Sequence, residues 1–334
     1  MTIRTGGPIT RRRAVAGLAA SVAAPAIISA PARGQALWPA GRTLRMVVPF
    51  TPGGATDVIA RIVSDKLAQL WNTSIVVENK AGAGGNIGTE QVARSEPNGE
   101  TMLMGTIGLA LNSFLYRKLS YDPIADFTPT SLISIMPNML IAPTSAPFNS
   151  VAELVAYGKA NQGKLTFASS GVGTSVHLCG EMFKKMTGIQ MAHVPYRGSA
   201  PAVQDVIAGR CDIMFDNITS SLPQVQGKTL KGLAVTTAKR SSFVPDLPPL
   251  NDVVPGFDVS AWFGTLVPAK TPKEIVDRIT ADTRLALTDA IVRERLASLA
   301  AEPVGAGSVE FASLIRSETD KWGKLIKETG INAE

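Results

Sequence analysis

The sequence predicts an α/β fold with largely parallel sheets, and three observations carry that reading. Short apolar runs alternate with helical patterns through most of the chain. In each half, a strand passes through a glycine-bearing turn into a helix, at Val48–Arg61 (VPFTPGGATDVIAR) and again from Phe167 through Ser169-Ser170-Gly171-Val172-Gly173-Thr174. The chain then ends in three helical patterns after a short strand at Leu266-Val267, as if it leaves one lobe, builds a second and comes back. Two lobes with two crossovers, near Ile141 and Ser260, would enclose a cleft of the kind that takes small ligands.

The first 36 residues read as an export signal rather than as part of the fold. Arg4 and Arg11-Arg12-Arg13 form a basic segment, Ala14–Ile28 an alanine-rich apolar one, and Gly34-Gln35-Ala36 a small-residue cleavage site. The apolar run is too short to span a bilayer. Thr10–Arg13 resembles a twin-arginine signal, with the general secretory route as the alternative; either puts the protein outside the cytoplasm after cleavage near Ala36.

Export changes the charge argument. Of 33 basic residues, five arginines lie in this leader with no acid, which leaves 28 against 27 acidic residues in 298 positions. The basic character therefore belongs mostly to the signal, and no basic stripe with interleaved aromatics remains for nucleic acid. Numbers 37–140 with 261–334 are expected to form the first lobe and 141–260 the second.

Within the first lobe, Leu44–Val48 is a strand, and Val58, Ile59, Ile62, Val63, Leu67 and Leu70 keep one helix face apolar. Ile75–Val77 is the next strand, followed by the glycine-rich Lys80–Gly88, a helix from about Thr89 to Arg94 and a strand at Thr101–Gly105. Leu132–Ile141 is apolar but broken at Pro137. In the second lobe, Val151–Ala160 is a helix and Leu165–Ala168 a strand. A helix carrying Cys179, Met182, Phe183 and Met186 on one face follows, ended by Gly188 as a left-handed cap. Met191–Val194, a loop to Ser199, a helix from Ala200 and a strand at Asp212–Phe215 complete it. Helices then start at Thr271, Asp289 and Ser308, the first behind the capping box Thr271-Pro272-Lys273-Glu274.

The two glycine turns are anion sites in outline, because glycine lets the backbone approach a ligand and the following helix aims unpaired N–H groups at it. Asp57 fits that site as an orienting group that holds the loop or a water. Ser169–Thr174 adds hydroxyls, His177 lies one turn into its helix, and Arg197 in Tyr196-Arg197-Gly198-Ser199 could grip a carboxylate through two parallel hydrogen bonds. Asp216-Asn217, after an apolar strand, could face the same cleft. Gly82–Gly88 is spaced wrongly for a dinucleotide, two histidines (His177 and His193) are too few for a metal site, and no Gly-x-Ser-x-Gly elbow is present. No cofactor and no metal are expected. Cys179 and Cys211 are either a disulfide or two buried thiols.

Together VPFTPGGATDVIAR, VVENKAGAGGNIGTE, SEPNGETMLMG, FASSGVGTSVHLCGEMFKKMTG, HVPYRGSAPAVQDVIAGRCDIMFDN and WGKLIKETGI resemble the Bug family, the extracytoplasmic binding proteins of tripartite tricarboxylate transporters. The resemblance covers nearly all of the mature chain. It implies a two-lobed periplasmic binding protein of the type II-like, Venus-flytrap kind, not an enzyme, monomeric, that closes on a small organic carboxylate and delivers it to membrane subunits. Carried over by motif, the first-lobe loop matches Phe50, Pro52, Gly53, Gly54, Thr56 and Asp57. The second-lobe loop matches Ser170, Gly171, Gly173, Thr174 and His177, with Tyr196, Arg197 and Gly198 beside it. Thr106 and Asp216 complete the implied ligand set. Gly105–Ala110 is more apolar than its usual hydroxyl-rich counterpart, which implies a ligand with an apolar or aromatic body rather than one as charged as citrate. The alternatives are a sensor presenting a carboxylate to a membrane histidine kinase and, more remotely, an exported carboxylate-processing hydrolase using Ser170.

Overall fold

The computed structural model describes residues 41–330 together with Thr2, Trp38 and Pro39. The export signal expected over residues 1–36 lies, apart from Thr2, outside the described residues.

Among the described residues, ten strands alternate with helices. β1 (Leu44–Val48) leads into α1 (Ala55–Trp71), and β2 (Ile75–Asn79) into a 3-10 turn at Ala83–Gly85 and α2 (Asn86–Ala93). β3 (Thr101–Thr106), α3 (Gly108–Leu115) and the long β4 (Phe127–Pro143) follow. The second half holds α4 (Val151–Ala160), β5 (Leu165–Ser169), α5 (Ser175–Thr187), β6 (Met191–Pro195), α6 (Ser199–Ile207), β7 (Ile213–Asn217), α7 (Ile218–Gln226) and β8 (Leu230–Val235). β9 (Ser260–Pro268), α8 (Lys273–Thr288), α9 (Ala290–Ala297), β10 (Glu302–Ala306) and α10 (Ser308–Thr329) close the chain.

The strand order is β2-β1-β3-β9-β4-β7-β5-β6, with β8 and β10 also paired to β4. β1, β2 and β3 are mutually parallel, as are β5, β6 and β7, whereas β9 and β4 run antiparallel to their neighbours and join the two parallel sets. β4 changes partners along its length. Phe127–Pro137 pairs with β9 and Asn138–Ile141 with β7. The change falls at Pro137, opposite Ser260, where proline has no N–H to continue the ladder. The segment expected to break at Pro137 is thus one continuous strand that swaps neighbours there.

Strand alternation sends successive side chains to opposite faces, and each face carries its own core. Met46, Val48, Ile59, Leu67, Met104 and Met214 lie in one buried cluster, and Val47, Leu103, Phe167, Phe183, Phe215 and Trp322 in the other. Each cluster draws on both parallel sets of strands.

Several elements differ from the sequence expectation. α3 was hidden because it is apolar on nearly every side, with Leu109, Ala110, Leu111 and Leu115 all buried, so it shows no helical stripe. α7 carries Pro223 in its interior, and β8 and β10 lie in stretches to which the sequence reading assigned no element. α2 begins at Asn86, three residues early. α8 begins at Lys273, with Pro272 still extended and the Thr271 hydroxyl without a partner, so the expected capping box does not form. Gly188 does end α5 in the left-handed conformation, at φ 74°. Among the described residues no helix is long and apolar enough to cross a membrane.

Candidate functional site

The turn between β1 and α1 is held by one carboxylate. Gly53 sits at φ +85°, and its N–H donates to Asp57 Oδ2 at 3.0 Å. Arg61 Nε and Asn79 Nδ2 also donate to that carboxylate, and Asn79 Nδ2 reaches the Phe50 carbonyl at 3.0 Å. Burial works against the charged form of Asp57, but the hydrogen bonds from Arg61, Gly53 and Asn79 outweigh it and hold the carboxyl below its ordinary value. Asp57 therefore shapes the loop from behind, leaving the first N–H groups of α1 free of intrahelical partners.

The turn between β5 and α5 is self-braced in the same way. Ser169 Oγ lies 2.6 Å from His193 Nε2 and accepts from the Gly171 N–H, while Thr174 Oγ1 donates to the Gly171 carbonyl at 2.7 Å. Thr174 then caps α5 by accepting from the His177 N–H. His177 is 3 % exposed; its Nδ1 accepts from the Gly173 N–H, and its ring lies 4.5 Å from that of His193. Burial, with His193 and Lys184 nearby, pushes His177 down to about 3, and burial with Lys184 pushes His193 down to about 4. Both imidazoles are neutral framework groups at physiological pH.

These turns meet. The Thr51 N–H donates to the Arg197 carbonyl at 3.3 Å, and a Cβ on Gly54 would lie 3.5 Å from that of Ser199, the first residue of α6. A Cβ on Gly84 would fall 1.8 Å from the Val172 carbonyl oxygen, and one on Gly171 would fall 3.2 Å from Gly84 Cα. Tyr116 Oη donates across the same gap to the Val172 carbonyl at 3.2 Å. Glycine is needed at 84 for its φ of +62° and for this contact.

Between the turns lies a cavity of about 20 Å³. Phe50, Gly54, Ala55 and Thr56 line it from the start of α1, Thr106 and Ile107 from the end of β3, and Ser170, Thr174 and Ser175 from the start of α5. Ser199 comes from α6, Asn217 from β7, and Ala261, Trp262 and Phe263 from β9. No ionisable side chain is in this wall. It offers hydroxyls, one amide, backbone N–H groups and the starts of α1, α5 and α6 on one side, and aromatic rings on the other. A space this small holds about one water molecule. An organic acid is larger than this space.

Of the residues expected at the site, Phe50, Gly54, Thr56, Thr106, Ser170 and Thr174 line this cavity. Pro52 and Gly53 are exposed on the outside of their turn, while Gly171 faces Gly84 and Tyr196, Gly173 faces Asn112 and Leu115 of α3, and Asp57 and His177 lie behind the wall. The Tyr196 hydroxyl donates a hydrogen bond to Asp205 at 2.7 Å, Gly198 packs on Thr51, and Arg197 is exposed, engaging the first loop through its carbonyl. Asp216 is fully buried behind Ser199, where desolvation pushes its carboxyl up to about 6 against hydrogen bonds from Ser220 and Ser199. The disulfide alternative is corrected: both cysteines are free, because Cys179 sits in one core and Cys211 in the other, on opposite faces of the sheet. Cys179 accepts from Asn138 Nδ2, and burial pushes its thiol up to about 12. Sequence reasoning missed Ala55, Ile107, Ser175 and the β9 residues Ala261, Trp262 and Phe263. Among the described residues no cluster of His, Cys, Asp and Glu could hold a metal ion.

Residues 59–331 match the model of the tripartite tricarboxylate transporter family receptor, TctC. The chain belongs to the TctC family. It is similar to BugT of Bordetella pertussis, with 33% identity over 325 residues, 96% of this chain and 98% of that one. Among solved structures, the periplasmic binding protein BugD superposes with a TM-score of 0.85 at 35% identity, covering 87% of this chain and 99% of BugD. R. palustris Rpa4515 with adipate superposes at 0.86 and 36%, covering 88% and 99%. The TctC family and these structural neighbours are solute-binding receptors, not enzymes. Ser169 and His193 fit that reading: buried Ser169 and half-buried His193 brace each other outside the cavity wall.

Proposed function

We propose that this TctC-family chain is a periplasmic receptor that captures a small organic carboxylate with an apolar body and delivers it to the membrane subunits of a tripartite transporter. The observation that carries the reading is the convergence of the α1, α5 and α6 starts on one cavity whose wall also carries Phe50, Ile107, Trp262 and Phe263. Helix starts and hydroxyls supply donors for a carboxylate without a basic side chain, while Phe50, Phe263 and Ile107 suit an apolar body. Rpa4515 holding adipate supports the ligand class, BugD supports the compartment, and the family supports the transporter. The receptor acts as a monomer.

Segments 37–140 and 261–334 form one lobe and 141–260 the other, with hinges at Pro137–Asn138 and Val259–Ser260. The pairing change in β4 supports the first hinge. At the second, Thr236 ties the two connections together: its hydroxyl donates to the Val259 carbonyl and its N–H to the Asn138 carbonyl. The ligand enters when the lobes part and is buried when the glycine turns meet again. Each hydrogen bond to a carboxylate contributes about 1–3 kcal/mol net, so four to six of them support micromolar binding after ordering costs. Calorimetry with C4–C8 dicarboxylates, benzoate and terephthalate tests the proposal. Saturable one-to-one binding of at least one acid is expected, and no heat from any of them overturns it.

A further inference from the structure

Asp216 is the last residue but one of β7, between the core residue Phe215 and Asn217, which lines the cavity. It has no exposed surface. Ser199, also in the cavity wall, approaches its carboxyl, but Oδ1 closes no hydrogen bond. On the other side, Ser220 Oγ meets Asp216 Oδ2 and, at 3.0 Å, the Asn217 carbonyl oxygen. A hydroxyl has one proton and cannot give it to both. If Asp216 is ionised, one of these contacts sets two oxygens together with no proton between them. If it is protonated, its O–H donates to Ser220, Ser220 donates to Asn217, and both contacts are satisfied. The structure, with its glycine turns in contact, thus fits the protonated acid. No neighbouring charge competes with this. The elements packed on β7 are β4, β5, α5, α6 and α7. Of these, β4, β5 and α7 carry no ionisable side chain. On α5, His177 is neutral, Cys179 is a buried thiol, Glu181 pairs with Lys184, and Lys185 follows; on α6, Asp205 pairs with Arg210. Desolvation and hydrogen bonds alone act on the Asp216 carboxyl.

Resting on the carboxylate-receptor reading, we infer that the ligand binds together with one proton, which Asp216 takes up behind Ser199. The proton comes from solvent and forms the Asp216 O–H bond; no other covalent bond changes. Two effects drive the uptake. A bound carboxylate brings a second negative charge to the far side of Ser199, and like charges across a dry wall repel. The Ser199 hydroxyl also has a single proton, and an ionised Asp216 competes with the ligand for it. Asp216 is therefore a positioning residue that acts through Ser199. In the free receptor its carboxyl, pushed up to about 6 by burial, is mostly ionised at pH 7, and the bound carboxylate raises it further. Because the bound state keeps the proton to higher pH than the free state, affinity falls as pH rises above about 6.

Calorimetry of the full mature chain with the tightest-binding acid of the panel above, run in HEPES and in imidazole, counts the protons that accompany binding. About 0.5–1 proton taken up per acid at pH 7 is expected, with affinity falling roughly tenfold from pH 6.5 to pH 8. Asp216→Asn imitates the protonated side chain, so it should bind without proton uptake and vary less than about twofold over that range. On binding, the infrared difference spectrum of the wild type should gain a protonated-carboxyl band that Asp216→Asn lacks. Asp57, held by Arg61 below its ordinary value, cannot supply that band. If Asp216→Asn does not fold, the wild-type proton count and band decide the matter. Equal binding heats in the two buffers, proton release on binding, absence of the band, or uptake that survives in Asp216→Asn overturns the inference. If none of the acids binds at any pH, the carboxylate reading itself has failed, a result distinct from these.

Discussion

Gly84→Ala separates closure of the lobes from their folding. The added Cβ would stand 1.8 Å from the Val172 carbonyl oxygen and 2.6 Å from Tyr116 Oη, where real Cβ atoms keep beyond 3.0 Å. The two loops must therefore separate by more than an ångström. Alanine at φ +62° also costs about 1–2 kcal/mol, but the lobes pay it open or closed, so it cancels from binding. What does not cancel is the loss of contacts across the gap, from Tyr116 Oη to the Val172 carbonyl and from the Thr51 N–H to the Arg197 carbonyl. Two neutral hydrogen bonds at about 0.5–1.5 kcal/mol each predict binding weakened by roughly 5- to 150-fold. Gly163→Ala is the control: Gly163 has φ +75° with nothing within 4 Å of its Cβ, so it carries the backbone strain without the clash. Calorimetry with the tightest acid of the panel measures affinity, urea unfolding measures stability, and small-angle scattering measures closure. Gly84→Ala should match Gly163→Ala in stability, bind more weakly and stay expanded when saturated. Affinity and compaction equal to those of Gly163→Ala would refute the claim that these glycine turns meet in the ligand-bound state.

Asp57→Ala is expected to cost about 2–3 kcal/mol in urea unfolding at pH 7, a figure discounted because Arg61 is half exposed. Since the folded carboxyl lies below its ordinary value of 3.8, its contribution is complete above that pH and fades as pH falls through the folded value; the gap between wild type and variant should close in acid. The imidazoles give a second acid effect. With folded values of about 3 for His177 and about 4 for His193 against 6.5 in the unfolded chain, the unfolded state takes up more protons below about pH 6.5. Stability should fall from there downward, and NMR should find neither ring titrating between pH 5 and 8. Thiol titration should find two free thiols on denaturation in the absence of reductant and no reaction at Cys179 in the folded protein; dithiothreitol should leave the melting temperature unchanged.

The parts of this site that were legible in the sequence are those whose physics is local. Pro52-Gly53-Gly54 followed by Asp57 announces a strand-to-helix turn because the carboxylate that closes it lies four residues from the N–H it accepts. Ser169–Thr174 and Gly188 announce the two ends of α5 on the same principle. His177 shows the limit of that logic. Its place one turn into α5 was readable, but which side of the turn its ring occupies depends on Phe167 and His193, two strands that meet it only in three dimensions. The cysteines show it again, since spacing says nothing about which face of a sheet a residue takes.

The aromatic wall was illegible for a stronger reason. Trp262 and Phe263 lie more than 150 residues from Thr106, and only the antiparallel pairing of β9 with β3, which sets Phe263 opposite Thr106, carries them to the same cavity. That register depends on β9 slotting between β3 and β4, with β4 then switching to β7 at a proline that the sequence suggested as a break. The donors that would hold a carboxylate are thus written in short motifs, whereas the groups that would choose among carboxylates are delivered by long-range sheet topology. A change on β9 can then alter selectivity while every turn motif stays as it is, so chains that share the motifs need not share a ligand.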